Sequence, residues 1–418
     1  MGTKEKIKAT VEKIWLLLRW MLYSVVIGTV IGLVGTAFGY AMQGVTSFRS
    51  THFWVLFLLP VLGVLIIFIY RKSGMEDNRG TNLVLEAVSS DEVIPARVAP
   101  VIFVSTVLTH LGGGSAGREG AALQLGGSLG TFLGHFFKVD DHDRKIAVMC
   151  GMSAAFAALF GTPLTAAIFP MEVVSVGIMH YSALIPCVFC ALIAAEVATL
   201  CGIHAEAFPV ELVPKLAVEP VVKMIGIAIL CGLISTLFCT ILHSGDRLFK
   251  KIGNPYVRVI AGGLLVIVMT LLLGTQDYNG AGMQVIERCV LEGEVFFAAF
   301  LLKMLFTAVT LGSGFRGGEI VPAFFVGATF GCLAGQILGI SPQLAAACGM
   351  LAVFCGVTNS PITTVFMGLE LFGSAGMQYY LLVVAISYCV SGYSGLYSSQ
   401  KIVYSKFKTK YINRRTGH

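Results

Sequence analysis

Two short stretches carry the residues best suited to chemistry: Gly117-Arg118-Glu119-Gly120 and Gly317-Gly318-Glu319-Ile320-Val321-Pro322. Each sets a carboxylate among glycines in an apolar chain. Glycine lets backbone N–H groups approach a ligand closely, and a helix N-terminus carries partial positive charge, so a glycine-rich break that opens a helix attracts an anion. A carboxylate at such an end can fill the place itself and leave when it is protonated or displaced. Glu119 would then serve as gate and proton carrier together. The structural alternative is a salt bridge with Arg118 that holds two helices. Two further acids, Glu172 and Glu370, follow Pro163-Leu164-Thr165 and Pro361-Ile362-Thr363 by the same interval, and capping or hydrogen-bonded structural roles are expected for them.

Gly112-x-Gly114-x-x-Gly117 and Gly312-x-Gly314-x-x-Gly317 also satisfy a dinucleotide-binding pattern. That reading requires a soluble strand before the glycines and an acidic residue about 20 positions after them. The flanks are apolar helices instead, so no cofactor is expected. Glycine-rich breaks near 80, 117, 282 and 317 imply a buried place where several helix ends converge. Its ligand should be small and anionic, because backbone dipoles are the main offering and no cage of carboxylates exists for a metal. The run Val139-Asp140-Asp141-His142-Asp143-Arg144 reads as a solvated turn between helices rather than a cation site.

The elements that position these residues lie in a membrane. Of 418 residues, 56% are hydrophobic and only 12% charged, and mean hydropathy is +0.83; soluble domains carry about 25% charged residues. The chain is therefore an all-α polytopic membrane protein. Apolar stretches lie near 21–41, 53–70, 98–112, 146–178, 181–203, 222–244, 258–274, 296–312, 320–340, 343–358, 361–372 and 378–394. Several fall short of the roughly 20 residues a full span needs, which implies tilted, broken or re-entrant helices. The net charge of +6 gathers at the two ends, in Lys4, Lys6, Lys8, Lys13 and Arg19 and again in Lys401, Lys406, Lys408, Lys410, Arg414 and Arg415. The positive-inside rule puts both ends in the cytoplasm, and the basic tails set topology rather than bind nucleic acid. No signal peptide is expected, since the first apolar run follows Lys13 and further spans follow it. Most of the eleven cysteines sit inside apolar segments and read as small packing residues.

The sequence repeats at an offset of about 200: Glu119 falls on Glu319, Cys150-Gly151-Met152 on Cys348-Gly349-Met350, and Glu172 near Glu370. Gly80-Thr81-Asn82-Leu83-Val84 returns, slightly shifted, as Gly282-Met283-Gln284-Val285-Ile286. Charges around the copies change sign. The first copy opens after a basic segment, the second after 205–221, where Glu206, Glu211 and Glu219 outnumber Lys215. Arg71, Lys72 and Arg79 mark the 71–80 loop as internal, whereas its counterpart at 275–283 has no positive residue. The halves are thus expected to be antiparallel, the plan of transporters whose substrate sits at the midplane. Four segments follow: a basic cytoplasmic N-terminus (1–20), a first transmembrane repeat (21–204), a second, inverted one (205–400) and a basic cytoplasmic tail (401–418).

At these motifs, from about residue 21 to 400, the chain resembles the CLC family of anion channels and anion/proton antiporters. Gly117-Arg118-Glu119-Gly120 is similar to the family's external gating-glutamate motif, Gly317 to Pro322 to its second anion-coordinating motif, and Tyr397 falls where the family has its central tyrosine. The resemblance implies an inverted repeat of about 18 helices in a homodimer, with one pathway per subunit. Three departures point to a subtype. Gly80-Thr81-Asn82-Leu83-Val84 stands where chloride members have Gly-Ser-Gly-Ile-Pro, Glu319 replaces an aliphatic residue, and Val173 stands where chloride exchangers often carry an internal proton-transfer glutamate. All three resemble the fluoride branch, bacterial antiporters that expel fluoride against inward protons.

On that resemblance, Glu119 is the outer gate and proton carrier and Glu319 a second protonatable element. Thr81 or Asn82 and the Tyr397 hydroxyl are inner ligands. Gly117, Arg118 and Gly120, with the N–H groups near Gly120, Ile320 and Val321, form the middle of the site. The alternative is a chloride/proton exchanger or passive anion channel of the same fold, and a plain structural role for Glu319 stands beside its functional one. Expected partners are fluoride or another halide, protons, membrane lipid and a second copy of the chain, in a bacterial inner membrane.

Overall fold

A computed structural model of the chain describes residues 3–90, 92–211 and 213–416. Among these residues, sixteen helices fall into two series of eight. The first holds α1 (Thr3–Thr51), α2 (Leu59–Lys72), α3 (Thr81–Ser89), α4 (Val98–Leu111), α5 (Glu119–Phe136), α6 (Asp141–Phe160), α7 (Pro163–Val173) and α8 (Leu184–Leu200). The second holds α9 (Val218–Lys250), α10 (Pro255–Leu273), α11 (Met283–Glu287), α12 (Ala299–Ser313), α13 (Ile320–Leu338), α14 (Pro342–Thr358), α15 (Pro361–Phe372) and α16 (Met377–Val390). Single-turn segments at 53–58, 181–183 and 288–292 bring the total near the 18 expected.

Packing repeats along with order. α5 lies on α6 as α13 lies on α14, α1 on α8 as α9 on α16, and α2 meets its own counterpart α10. The α5–α6 and α13–α14 contacts depend on glycine: a Cβ at Gly126 would collide with the Gly151 carbonyl oxygen, and one at Gly327 would come within 2.5 Å of the Gly349 oxygen. Helices associate in lipid through this close backbone approach.

The relation between the halves is clearest where α7 meets α15. Glu172 on α7 accepts the N–H groups of Ile362 and Thr363 at 2.9 and 2.8 Å and the Thr363 hydroxyl at 2.6 Å. Glu370 on α15 returns the arrangement, accepting Leu164 N–H, Thr165 N–H and the Thr165 hydroxyl at 2.8, 2.9 and 2.6 Å. Each glutamate thus satisfies the orphan donors that open the other half's helix, and each of those helices begins at a proline with no N–H to lose. The structural roles expected for both residues are what the structure contains.

Among the described residues, six helical segments are long and apolar enough to cross a membrane, α1, α9, α10 and α13 being four of them. α3, α4, α7, α12, α15 and α16 have 9 to 15 residues and are short of the roughly 20 required. α13 differs from the other long helices: 78% of its apolar window is buried inside the protein, against 33–44% for the other five. A helix so enclosed is in position to build an internal site.

Two expectations need correction. The apolar run 146–178 is not one element, because Gly161 closes α6 in the left-handed conformation and Pro163 opens α7. Asp140 to Arg144 is not a free turn: the Asp140 side chain caps α6 by accepting the Asp143 N–H, and Asp143 pairs with Arg19 on α1. α1 runs unbroken from residue 3 for 49 residues and so takes in the basic N-terminal stretch, a length of about 74 Å at 1.5 Å per residue. The tail 401–418 is structured within its described part, where β2 (Lys401–Tyr404) pairs with β1 (Ser175–Val176) and β3 (Tyr411–Arg415). Nine of the eleven cysteines are buried and all are free thiols, as packing residues would be.

Candidate anion site

The loops that open α5 and α13 meet head to head. Gly117 and Gly318 form an antiparallel bridge, with Gly117 N–H donating to the Gly318 oxygen at 2.7 Å and Gly318 N–H to the Gly117 oxygen at 2.8 Å. Cross-braces fix the loops: Ser115 N–H donates to the Thr310 hydroxyl at 3.0 Å and Arg316 N–H to the Thr109 hydroxyl at 3.2 Å. Only glycine permits this approach, because a Cβ at Gly120 would lie 2.9 Å from the Gly318 Cα and one at Gly318 would strike the Gly120 nitrogen. Two positive helix ends are thereby held against each other.

Both glutamates stand at this junction. Glu119 is wholly buried, and its Oε2 folds back to accept the Arg118 N–H at 3.0 Å, so the carboxylate lies over its own helix N-terminus. Its Oε1 has no hydrogen-bond partner and lies 3.5 Å from Arg118 Nε. Glu319 Oε2 also has no hydrogen-bond partner and would sit 3.5 Å from a methyl on Gly120. Arg118 binds elsewhere more tightly: its Nη2 donates to Glu206 Oε1 at 2.8 Å. The salt bridge of Arg118 with Glu119 is present, as the longer of the two ion pairs that Arg118 makes.

The remaining candidates divide. Tyr397 is 2% exposed, its hydroxyl has no hydrogen-bond partner, and Ser399, two residues on, is tied to Asn82 in the first turn of α3. Thr81 heads α3 with its hydroxyl 3.4 Å from the Gly120 carbonyl and 3.3 Å from where a Gly120 Cβ would stand, so it borders the junction. Asn82 turns away, its amide oxygen accepting Ser399 N–H at 3.0 Å and the Ser399 hydroxyl at 2.8 Å. Ile320 and Val321 are buried at the head of α13, where the first helical hydrogen bond belongs to Ala323, which donates to Glu319 at 3.1 Å. Their N–H groups are left pointing out of the helix end. Val173 is fully buried, and its carbonyl takes up the Gln400 amide, so no titratable side chain stands there.

Convergence is incomplete relative to the sequence reading. Three of the four glycine breaks meet, at 80, 117 and 317. The fourth lies farther along α13, with Gly282 against the Phe325 ring. There the buried Lys303 ammonium donates to the Tyr278 and Gly280 carbonyls at 3.1 and 2.7 Å and lies 5.1 Å from the Phe325 ring centroid. A lysine braces the break that its counterpart leaves open. Gln124 and Ser399 were not found from sequence. Gln124 donates to the Gly120 oxygen at 3.1 Å, and its only signal was an amide inside a buried glycine-rich helix.

The sequence matches the voltage gated chloride channel family over residues 62–392. A chloride/fluoride channel protein of Pseudomonas syringae pv. tomato is 35% identical over 395 residues, spanning 93% of this chain and 87% of that one. A voltage-gated ClC-type chloride channel, ClcB, of Escherichia coli is 26% identical over 355 residues, covering 81% of this chain and 82% of that one. Among solved structures, a CLC-type fluoride/proton antiporter superposes with TM-score 0.89 at 32% identity, over 92% of this chain and 98% of that one. A slow cyanobacterial Cl-/H+ antiporter superposes at 0.78 with 18% identity, over 89% of this chain and 94% of that one, and so shares the fold. With its inverted halves, its bridged helix ends and this breadth of likeness, the chain belongs to the voltage gated chloride channel (CLC) family.

Proposed function

We propose that the protein is a secondary active antiporter that exports fluoride from the cytoplasm in exchange for protons. The observation that carries this reading is the placement of two carboxyl groups, wholly buried Glu119 and half-buried Glu319, at one junction of helix N-termini, each with an enclosed oxygen lacking a hydrogen-bond partner. Fluoride is the smallest and most strongly hydrated halide, so it needs strong donors once its water is stripped. A protonated Glu319 supplies one, alongside the N–H groups of Ile320 and Val321 and the Tyr397 hydroxyl. Ionised, the same carboxyl repels the anion, which ties anion occupancy to protonation.

Glu119 is the gate in this account. Ionised, it occupies the positive end of α5; protonated, it loses that attraction and yields the place to an anion. Gly117 and Gly120 allow the close approach, and Arg118 contributes its N–H. Of the two inner candidates, Thr81 is assigned as the ligand, because Asn82 spends its amide on Ser399. No bond is made or broken in the cycle. The relatives named for fluoride, one a channel and one an antiporter, support the choice of anion. We place the join between repeats at 204/205 and the tail from 401, and assign a homodimer with one pathway per subunit in a bacterial inner membrane, both termini cytoplasmic.

The test is fluoride efflux from proteoliposomes with internal pH followed together, and chloride as control. Fluoride movement that drives protons uphill is the expected result. Fluoride movement indifferent to a proton gradient would leave a passive channel, and chloride moving at the same rate as fluoride would leave the chloride exchanger.

A further inference from the structure

Between the two halves runs an extended linker, and one of its residues reaches the gate. Phe208 N–H donates to the Leu371 oxygen at 2.7 Å and Val210 N–H to the Phe372 oxygen at 3.2 Å, which ties the linker to the end of α15. Upstream, Ala205 packs onto Gly161 so closely that a Cβ there would lie 2.5 Å from the Ala205 Cα. Glu206 is thus held in place rather than free to wander. Its side chain is 31% exposed, whereas Glu119 is 0% exposed and Arg118, between them, 14%. The row Glu206, Arg118, Glu119 leads from solvent to the site.

Arg118 is shared unequally along that row. Glu206 takes a hydrogen bond at 2.8 Å, while Glu119 Oε1 sits at 3.5 Å from Nε without one. Among the described residues, the other groups that contact the guanidinium carry no charge: α6 offers the Leu159 carbonyl at 3.4 Å and the Phe160 ring, whose centroid is 5.9 Å away. Glu319, across the glycine bridge, is the remaining acid at the junction. The balance of charge on Glu119 is therefore set by Arg118, Glu206 and Glu319.

We propose that Glu206 is a positioning residue for the gate: by holding the Arg118 guanidinium off the Glu119 carboxylate, it lets Glu119 take up a proton and leave its helix end. The proposal rests on the reading of Glu119 as gate and proton carrier. With Glu206 neutralised, Arg118 turns its full charge on Glu119, and the repulsion between the two carboxylates disappears. Both changes oppose protonation of Glu119, so the sign is the same for each.

The experiment compares unsubstituted protein, Glu206→Gln and Glu206→Asp in proteoliposomes, with anion flux measured against pH on the linker side. Glu206→Gln should move the pH of half-maximal flux down by about one unit, a tenfold change in proton concentration, and Glu206→Asp should restore most of it. In a Glu119→Gln background, Glu206→Gln should shift nothing further. A uniform loss of flux with an unmoved midpoint would mark Glu206 as structural and overturn the proposal, as would a shift that persists without Glu119. Unsubstituted protein that carried chloride and ignored fluoride would sink the fluoride reading, and the same comparison would then be made with chloride. Flux without any pH dependence in the unsubstituted protein would overturn both.

Discussion

Two crossings in this molecule are built by the same symmetry from the same residue type, and they differ in one respect. At α7 and α15, Glu172 and Glu370 each accept three hydrogen bonds from the opposite half. At α5 and α13, Glu119 and Glu319 each keep an oxygen without a hydrogen-bond partner, and Glu119 reaches only the loop before its own helix. Buried polar groups are normally satisfied, and leaving one unsatisfied costs about 1–3 kcal/mol. The first pair therefore closes a joint, while the second holds a place that another ligand can complete.

The comparison can be broken most directly at the gate. Glu119→Gln should abolish fluoride-driven proton movement in liposomes while fluoride still passes, and proton pumping at the original rate would remove Glu119 from the mechanism. Glu319→Ala should slow fluoride transport about tenfold or more, the loss expected for a charge-assisted hydrogen bond of roughly 1.5–3 kcal/mol. Its measure is fluoride-electrode efflux per reconstituted protein. An equal effect on chloride and fluoride would argue for a structural role at that position.

At the other crossing the expected losses are in stability. Glu172→Ala should lower unfolding free energy by about 2–3 kcal/mol, since a buried carboxylate and the helix cap it provides go together. Thermal unfolding in detergent reads this, and the proton-to-fluoride ratio should not change. A changed ratio would show that α7 does more than hold the joint. The smallest effects belong to α3: Thr81→Val should weaken fluoride affinity by about 1 kcal/mol, and Asn82→Ala should loosen the Ser399 tie with little change in affinity. The reverse ranking would make Asn82 the ligand.

The sequence made the repeat legible because each glycine break and each acid recurs at a fixed offset, and both crossings follow from that recurrence. The meeting of the loops that carry Glu119 and Glu319 could be read from motifs. The choice between Thr81 and Asn82 could not, since it turns on which side chain Ser399 captures. Nor could the bracing of the fourth break, because Lys303 in an apolar helix carries no mark of the carbonyls it will meet. The division of 146–178 was hidden because the residues flanking Gly161 are as apolar as a continuous span. The folded tail lay beyond the reach of charge counting: Lys406 is half-buried, donating to Asn359 and to the Tyr388 carbonyl at 3.0 Å, while Thr416 donates to the Tyr397 carbonyl at 2.5 Å.

Competition between a carboxylate and a halide for one helix end is most directly tested by fluoride titration calorimetry of the purified protein and its Glu119→Gln variant across a range of pH. The account predicts that fluoride binds the unsubstituted protein more weakly as pH rises and Glu119 ionises, and that the Glu119→Gln variant binds more tightly than it at the upper end of that range. Equal or weaker binding by the variant there would contradict it.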